Sequence, residues 1–100
     1  MWFAIYEKDN DYNTYRCETK PLELRGIIDR VNTKSNYMQA HIKGREKSFS
    51  LNISKELYKK GFPIYYDYEV GDSIIKKANS KEFTIKNGEK IAIYELDCDN

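Results

Sequence analysis

The chain has few of the residues from which metal and redox sites are usually built. Its 100 residues include two cysteines, Cys17 and Cys98, and one histidine. No Cys-x-x-Cys pair exists, which argues against a zinc knuckle and a thioredoxin-like redox site. The acidic clusters at residues 9–11 and 97–99 lack the ligand spacing of an EF-hand. We therefore predict no metal and no cofactor.

The two cysteines lie near opposite ends of the sequence. A disulfide between Cys17 and Cys98 would close a long loop and contribute on the order of 4 kcal/mol in the chain-entropy model. The spacing of two residues in a sequence does not show whether their Cβ atoms meet, so free thiols and a disulfide both stay open.

No excess of one charge is present either. The 17 basic and 16 acidic residues give a net charge of +1, so the whole-molecule field does not favour nucleic acid or an anionic membrane. The sequence also lacks an apolar run long enough to span a bilayer. Residues 1–6 are nevertheless apolar, which indicates either a packed N-terminal strand or turn, or the end of an anchor or signal segment. We expect membrane contact only through such an anchor.

Tyrosine, in contrast, is abundant. Nine tyrosines are present beside four phenylalanines and one tryptophan. Tyrosine suits half-buried strand positions, where its ring packs and its hydroxyl stays in water. Sheet packing and a tyrosine-lined binding face are both compatible with this composition.

Alternation of apolar and polar residues predicts six strands in one domain. They cover residues 22–31, 37–43, 48–53, 73–78, 82–86 and 90–96. Gly26 predicts a bulge or bend in the first strand. We expect the polar face of the second and third strands to carry Gln39, His41, Ser48, Ser50 and Asn52.

One segment changes period and predicts a short helix. In residues 54–61, Ser54 suits an N-cap and Gly61 suits the position after the last turn. Residues 62–68 follow as an extended aromatic stretch, and Gly71-Asp72 predicts a tight corner into the next strand.

Together these elements predict an all-β fold with one short helix, arranged as a small OB-like or SH3-like six-stranded barrel. A β-sandwich is the alternative. We expect an N-terminal arm at residues 1–21, the β-barrel domain at residues 22–96 and an acidic tail at residues 97–100.

Two patterns resemble catalytic sites, and neither has the required context. Gly71-Asp72-Ser73-Ile74 superficially resembles the nucleophile motif of the Gly-Asp-Ser-Leu hydrolases. Those enzymes have doubly wound α/β domains with an early serine and a late Asp-x-x-His, whereas here His41 lies upstream of Ser73. His41 itself has only Ser48 and Ser50 as expected neighbours, which we interpret as solvated residues of one strand face. We therefore predict no enzymatic activity and no catalytic residues.

A basic and aromatic cluster is the strongest candidate for binding. Aromatic rings beside lysines could stack on bases and follow phosphates, although Asp67, Glu69 and Asp72 interrupt the cluster. The predicted binding surface comprises Tyr58, Lys60, Phe62, Tyr65 and Tyr66, with Lys59 between them and Lys76, Lys77, Lys81 and Lys86 downstream.

The turn and strand signals of residues 24–96 carry one resemblance. Val70-Gly71-Asp72-Ser73-Ile74-x-Lys76, followed by Phe83-Thr84-Ile85-Lys86-Asn87-Gly88, is similar to a group of short uncharacterised proteins of Bacteroidetes-type bacteria. Many of that group resemble envelope proteins with an N-terminal anchor. The resemblance implies an oxidising compartment and carries no activity or site residues.

These patterns favour a non-enzymatic binding or structural module of the bacterial cell envelope or periplasm, with another protein as its partner. The alternative is an OB-like module that binds single-stranded nucleic acid through the Tyr58 to Tyr66 region. A cytoplasmic location is the alternative to the envelope.

Overall fold

The computed structural model describes residues 17–34 and 37–98. The expectations for residues 1–6 and 9–11 lie outside these described residues. The described residues form seven strands, and every pair of neighbouring strands is antiparallel, which confirms the all-β class. The strands are β1 (Leu24–Lys34), β2 (Tyr37–Ile42), β3 (Ser48–Ser50), β4 (Ile53–Lys60), β5 (Ser73–Lys76), β6 (Glu82–Asn87) and β7 (Lys90–Leu96).

The seven described strands form one sheet rather than the two sheets of a sandwich. Their order is β3-β2-β1-β5-β6-β7-β4. The two outermost strands, β3 and β4, are consecutive in the chain and are separated only by Leu51 and Asn52. One stretch of chain therefore pairs first with β2 and then with β7, at the two sides of the sheet.

One face of the sheet forms the core. Because side chains alternate along a strand, every second residue points to the same face. Tyr68, from the loop before β5, joins the inward residues of five strands and of the β3–β4 link. The buried cluster contains Leu24, Ile28, Ala40, Ile42, Leu51, Tyr68, Ile74, Phe83, Ile85, Ala92, Tyr94 and Leu96.

Gly26 allows two strands to approach closely. A Cβ atom at this position would lie 2.6 Å from Cγ2 of Ile42, so a larger residue would collide with β2. The predicted bulge is displaced from it: Gly26 pairs regularly with Ile74 of β5, and the irregularity in β1 lies between Ile28 and Arg30, where the strand pairs with β2.

The predicted helix at residues 54–61 is wrong, because this segment is strand β4. Its residues pair with β7 from Ile53↔Leu96 to Lys60↔Ile91, with two register shifts. A helix this short gains little from its own hydrogen bonds, and the segment offers only Leu57 and Tyr58 as an apolar face. The edge of β7 offers a row of backbone partners instead, so tertiary pairing overrides the local capping signals.

The predicted third strand is also divided. Only Ser48–Ser50 pair with β2, and Ile53 already belongs to β4. Ser50 and Asn52, expected on a polar surface, are 1% and 7% exposed. Asn52 connects β2 to the residue after β7: its Oδ1 accepts from the Met38 amide at 2.5 Å, and its carbonyl accepts from the Asp97 amide at 2.8 Å.

Candidate binding site at the aromatic segment

The aromatic segment, residues 62–70, connects β4 to the corner before β5. It contains no helix or strand, and a turn bond from the Tyr66 amide to the Pro63 carbonyl shapes it. The rings of Phe62 and Tyr66 stack with their centroids 4.1 Å apart. Lys90 Nζ lies 5.9 Å from the Phe62 ring centroid, so the start of the segment packs against β7.

Two tyrosine hydroxyls fix the segment to the sheet. Tyr68 is buried, and its hydroxyl donates to the Leu51 carbonyl at 2.9 Å. The Tyr94 hydroxyl, which comes from β7, donates to the Tyr66 carbonyl at 3.0 Å. Lys59 Nζ reaches the same carbonyl at 3.4 Å. The segment is therefore held from the link between β3 and β4, from β7 and from β4.

Asp72 is the central acceptor of the corner. Its carboxylate, 1% exposed, accepts from the Glu69 amide at 2.8 Å and from Asn87 Nδ2 at 2.9 Å. The Tyr66 hydroxyl is its third donor. Burial, and then this bond to the carboxylate, raise the pKa of the Tyr66 hydroxyl. The Gly71-Asp72 signal thus marks the position that fixes the loop.

The tip of the segment is exposed although both of its ends are fixed. The Tyr65 side chain is 95% exposed and that of Ile64 is 79% exposed. Tyr65 has a φ of +66°, a left-handed conformation that is unfavourable for a bulky residue and is often found at functional sites. The fold thus holds a tyrosine ring in water on a constrained backbone.

Two grooves flank this tip. The groove on the β4 side has a volume of about 500 Å³ and the groove on the β1–β2 side about 460 Å³. Both are lined by Tyr65, Tyr66 and Asp67. The aromatic segment is therefore a ridge between two concave surfaces, with an exposed tyrosine along it.

The structure separates the five residues of the predicted binding surface. Phe62, Tyr65 and Tyr66 lie in the aromatic segment. Lys59 pairs with the buried Ala92, so its neighbours Tyr58 and Lys60 point to the other, outer face of β4. Tyr58 and Lys60 thus do not share a surface with Tyr65.

Two lysines of the predicted basic group are engaged within the protein. Lys59 Nζ lies 3.6 Å from Oε1 of Glu56 and also contacts the Tyr66 carbonyl. Lys76, predicted in the downstream basic group, is 2% exposed and points inward beside Ile74. Because Ile74 and Lys76 are two positions apart in one strand, alternation places both on the inner face. This indication is easily missed because lysine is rarely buried.

Lys76 lies at the end of β5 away from the corner. Its ammonium donates to the carbonyls of Lys20 at 2.5 Å, Leu22 at 2.7 Å and Lys77 at 3.0 Å, which uses all three of its donors. Burial, with a smaller contribution from the charge of Lys20, lowers the pKa of Lys76 to about 8. This lysine therefore supports the segment at residues 17–22.

The same segment is held covalently. Cys17 and Cys98 form a disulfide with Sγ atoms 2.02 Å apart and Cα atoms 5.1 Å apart. Lys81 Nζ donates to the Cys98 carbonyl at 3.3 Å. The bond joins residues 81 positions apart in the sequence, so the described start and end of the chain meet at one end of the sheet.

His41 is engaged on both ring nitrogens. Nδ1 lies 2.6 Å from Oδ1 of Asp29, and Nε2 lies 2.7 Å from the Arg45 carbonyl. Ser48 is its register partner on β3. Because both nitrogens face acceptors, the ring joins β1 to the loop after β2.

Comparison with known proteins adds no family: no family model, no curated protein and no solved structure matches the chain. Among the residues that the structure describes, no group of three or more His, Cys, Asp or Glu side chains could hold a metal ion. Within the same residues, no helix is long and apolar enough to cross a membrane. The assignment of the candidate binding site therefore rests on the geometry of the aromatic segment.

Proposed function

We propose that this chain is a non-enzymatic binding module whose partner is a protein, and that the partner docks on the aromatic segment. The observation that carries the proposal is Tyr65, whose ring is 95% exposed on a constrained backbone. Tyrosine is enriched at protein interfaces because its ring contributes a large contact area at a low entropic cost. The two grooves beside it provide concave surfaces for side chains of the partner.

The support for a protein partner comes from the charges around the ridge. Asp67 lines both grooves, and Glu69 and Glu56 each line one of them. These carboxylates would repel a backbone of phosphates that followed either groove. A protein partner can instead place cationic or neutral side chains there.

An OB-like module for single-stranded nucleic acid is the second candidate. A fully exposed tyrosine ring can stack on any base of a nucleic acid. Lys55, which lines the groove on the β4 side, could contact a phosphate. An OB-like module also requires the sheet to close into a partly open barrel, which we propose. The two-residue link between the edge strands and the core on one face of the sheet support this closure.

We also propose that the chain works at the bacterial cell envelope or in the periplasm. The disulfide supports this location, because disulfides persist in oxidising compartments and are rare in the cytosol. The resemblance to the Bacteroidetes-type group points to the same location.

The proposal is tested by selection of peptides from a displayed random library on the immobilised, oxidised protein. The deciding comparison uses Tyr65→Asn against the control Tyr58→Thr, because Tyr58 is also exposed but lies on the outer face of β4. We expect enriched peptides that bind the wild type and the Tyr58→Thr variant and lose binding to the Tyr65→Asn variant.

A second measurement separates the two candidates. A labelled single-stranded oligonucleotide is titrated with the protein at about 50 and about 200 mM salt, a range over which binding to phosphates weakens strongly. Salt-sensitive binding that the Tyr65→Asn variant loses would replace the protein partner with nucleic acid. A library selection in which no peptide depends on Tyr65 would overturn the proposed docking surface.

A further inference from the structure

The groove on the β1–β2 side of the aromatic segment differs from its neighbour in composition. Six of its nine described lining residues are apolar or aromatic, and Asp67 and Glu69 are the only charged residues among the described ones that line it. The groove on the β4 side, in contrast, also includes Lys55 and Lys59. The apolar and aromatic residues that line the β1–β2 groove are Val31, Met38, Tyr65, Tyr66, Tyr68 and Val70.

The two carboxylates of this groove are exposed. No described lysine or arginine lies among the residues that line the groove, and none forms an ion pair with Asp67 or Glu69. Asp72, three to five residues away, differs from them because its three donors come from the protein itself. The charges of Asp67 and Glu69 are therefore exposed to solvent and are not neutralised by a described basic side chain.

A cationic side chain with an aliphatic stem complements a groove that combines apolar and aromatic side chains with two exposed carboxylates. The methylenes of lysine or arginine pack on apolar surface while the charged end stays near water. The charged end can pair with a carboxylate and lie over the exposed ring of Tyr65. We propose that the β1–β2 groove binds a lysine or arginine side chain of the partner protein. This inference rests on the proposed function and names the side chain that the partner must present.

The direct test uses single amino-acid probes on the whole oxidised protein labelled with ¹⁵N. N-acetyl-arginine amide and N-acetyl-lysine amide are titrated in parallel with N-acetyl-norleucine amide, which has a similar stem and no charge. We expect the amide signals of residues 31, 33, 38 and 65–70 to shift, with the norleucine probe about fivefold weaker because it lacks the ion pair and the cation–π contact.

The carboxylates are tested with Asp67→Asn combined with Glu69→Gln. Both side chains are exposed, so the variant is expected to unfold at the wild-type temperature. It should bind the two cationic probes no better than norleucine. The control is Glu46→Gln, an exposed acid in the loop at the other end of β2, which should leave all three affinities unchanged.

Equal affinity for norleucine and the cationic probes, or the absence of shifts in the groove, would overturn the cationic site. The first result would keep an apolar docking groove, and peptides that depend on Tyr65 would still support the proposed function. Loss of peptide selection with retained arginine binding would have the opposite meaning, because the groove would then recognise a cation that is not part of a protein partner. The two proposals therefore fail in different experiments.

Discussion

The two ends of β5 are covered by loops that are fixed in different ways. At its C-terminal end, Lys76 and the disulfide hold residues 17–22, and the donors of Lys76 all end on carbonyls of the protein. At its N-terminal end, the Asp72 carboxylate accepts hydrogen bonds from three donors and so fixes the corner. Tyr65 of the adjacent aromatic segment stays exposed.

The difference shows where stability and recognition are located. A buried polar group stabilises a fold only when its partners are supplied from within, as they are for Lys76 and Asp72. A group that points outward, such as the Tyr65 ring or the Asp67 carboxylate, contributes little to the free energy of unfolding and is available to a partner. Substitutions at the two ends should therefore separate stability from binding.

The largest effect is expected from removal of the disulfide. Replacing Cys17 and Cys98 together by serine should lower the free energy of unfolding by about 4 kcal/mol, because an 81-residue separation makes the loop long. Denaturant titration of the oxidised wild type and the variant measures this difference. Reducing agent should destabilise only the wild type; an equal effect on both proteins would contradict the prediction.

Asp72→Ala should give the second-largest loss of stability, about 3 kcal/mol, because it leaves three donors at the corner without their acceptor. Asp67→Asn is the control, since this carboxylate is exposed and its replacement should leave the midpoint of unfolding unchanged. A loss of similar size in both variants would break the contrast between buried and exposed acids.

Lys76 predicts a smaller effect that depends on pH. Its pKa of about 8 in the folded chain lies below its ordinary 10.5, so the unfolded chain binds more protons between these values. The penalty for burying the charge is present below pH 8 and disappears as the pH rises. Between pH 8 and 10 the wild type should gain about 1 kcal/mol relative to Lys76→Met, after allowance for screening by solvent. A constant difference between the two proteins across this range would contradict the low pKa.

The upper limit of this pH window is set by tyrosine. Burial, followed by the charges of Glu56, Asp67 and Asp72, raises the pKa of Tyr94 to about 12. The folded chain then binds more protons than the unfolded chain above pH 10, which lowers stability in both proteins. Measurements of the Lys76 effect therefore stop at pH 10.

The smallest effect on stability is expected at Tyr65. Tyr65→Asn should change the free energy of unfolding by less than about 0.5 kcal/mol, because asparagine tolerates the left-handed conformation and the ring is exposed. The same substitution should abolish peptide binding. Substantial destabilisation by this variant would show that the ring supports the fold.

Local patterns predicted the second half of the sheet well. The strands predicted at residues 82–86 and 90–96 are confirmed as β6 and β7, which pair directly and are joined by Gly88 and Glu89, because the alternation of each strand is a local signal. The helix predicted at residues 54–61 failed because its caps are local signals, while its actual partner, β7, lies more than thirty residues later.

Site prediction was limited by the same cause. Tyr58 and Tyr65 belong to one aromatic and basic cluster in the sequence, and the pairing of β4 with β7 places them on different surfaces. Lys76 counted as a surface lysine because its three carbonyl partners belong to residues 20, 22 and 77, two of them more than fifty positions away.

By itself, the sequence determined the all-β class, most of the strands and the Gly71-Asp72 corner, since each depends on side-chain alternation or on turn chemistry within a few residues. Tertiary structure alone decided that residues 53–60 form a strand, that Cys17 meets Cys98 and that Tyr65 is exposed between two grooves. These features depend on which edges and ends of the sheet come together, and contacts between distant residues set that outcome.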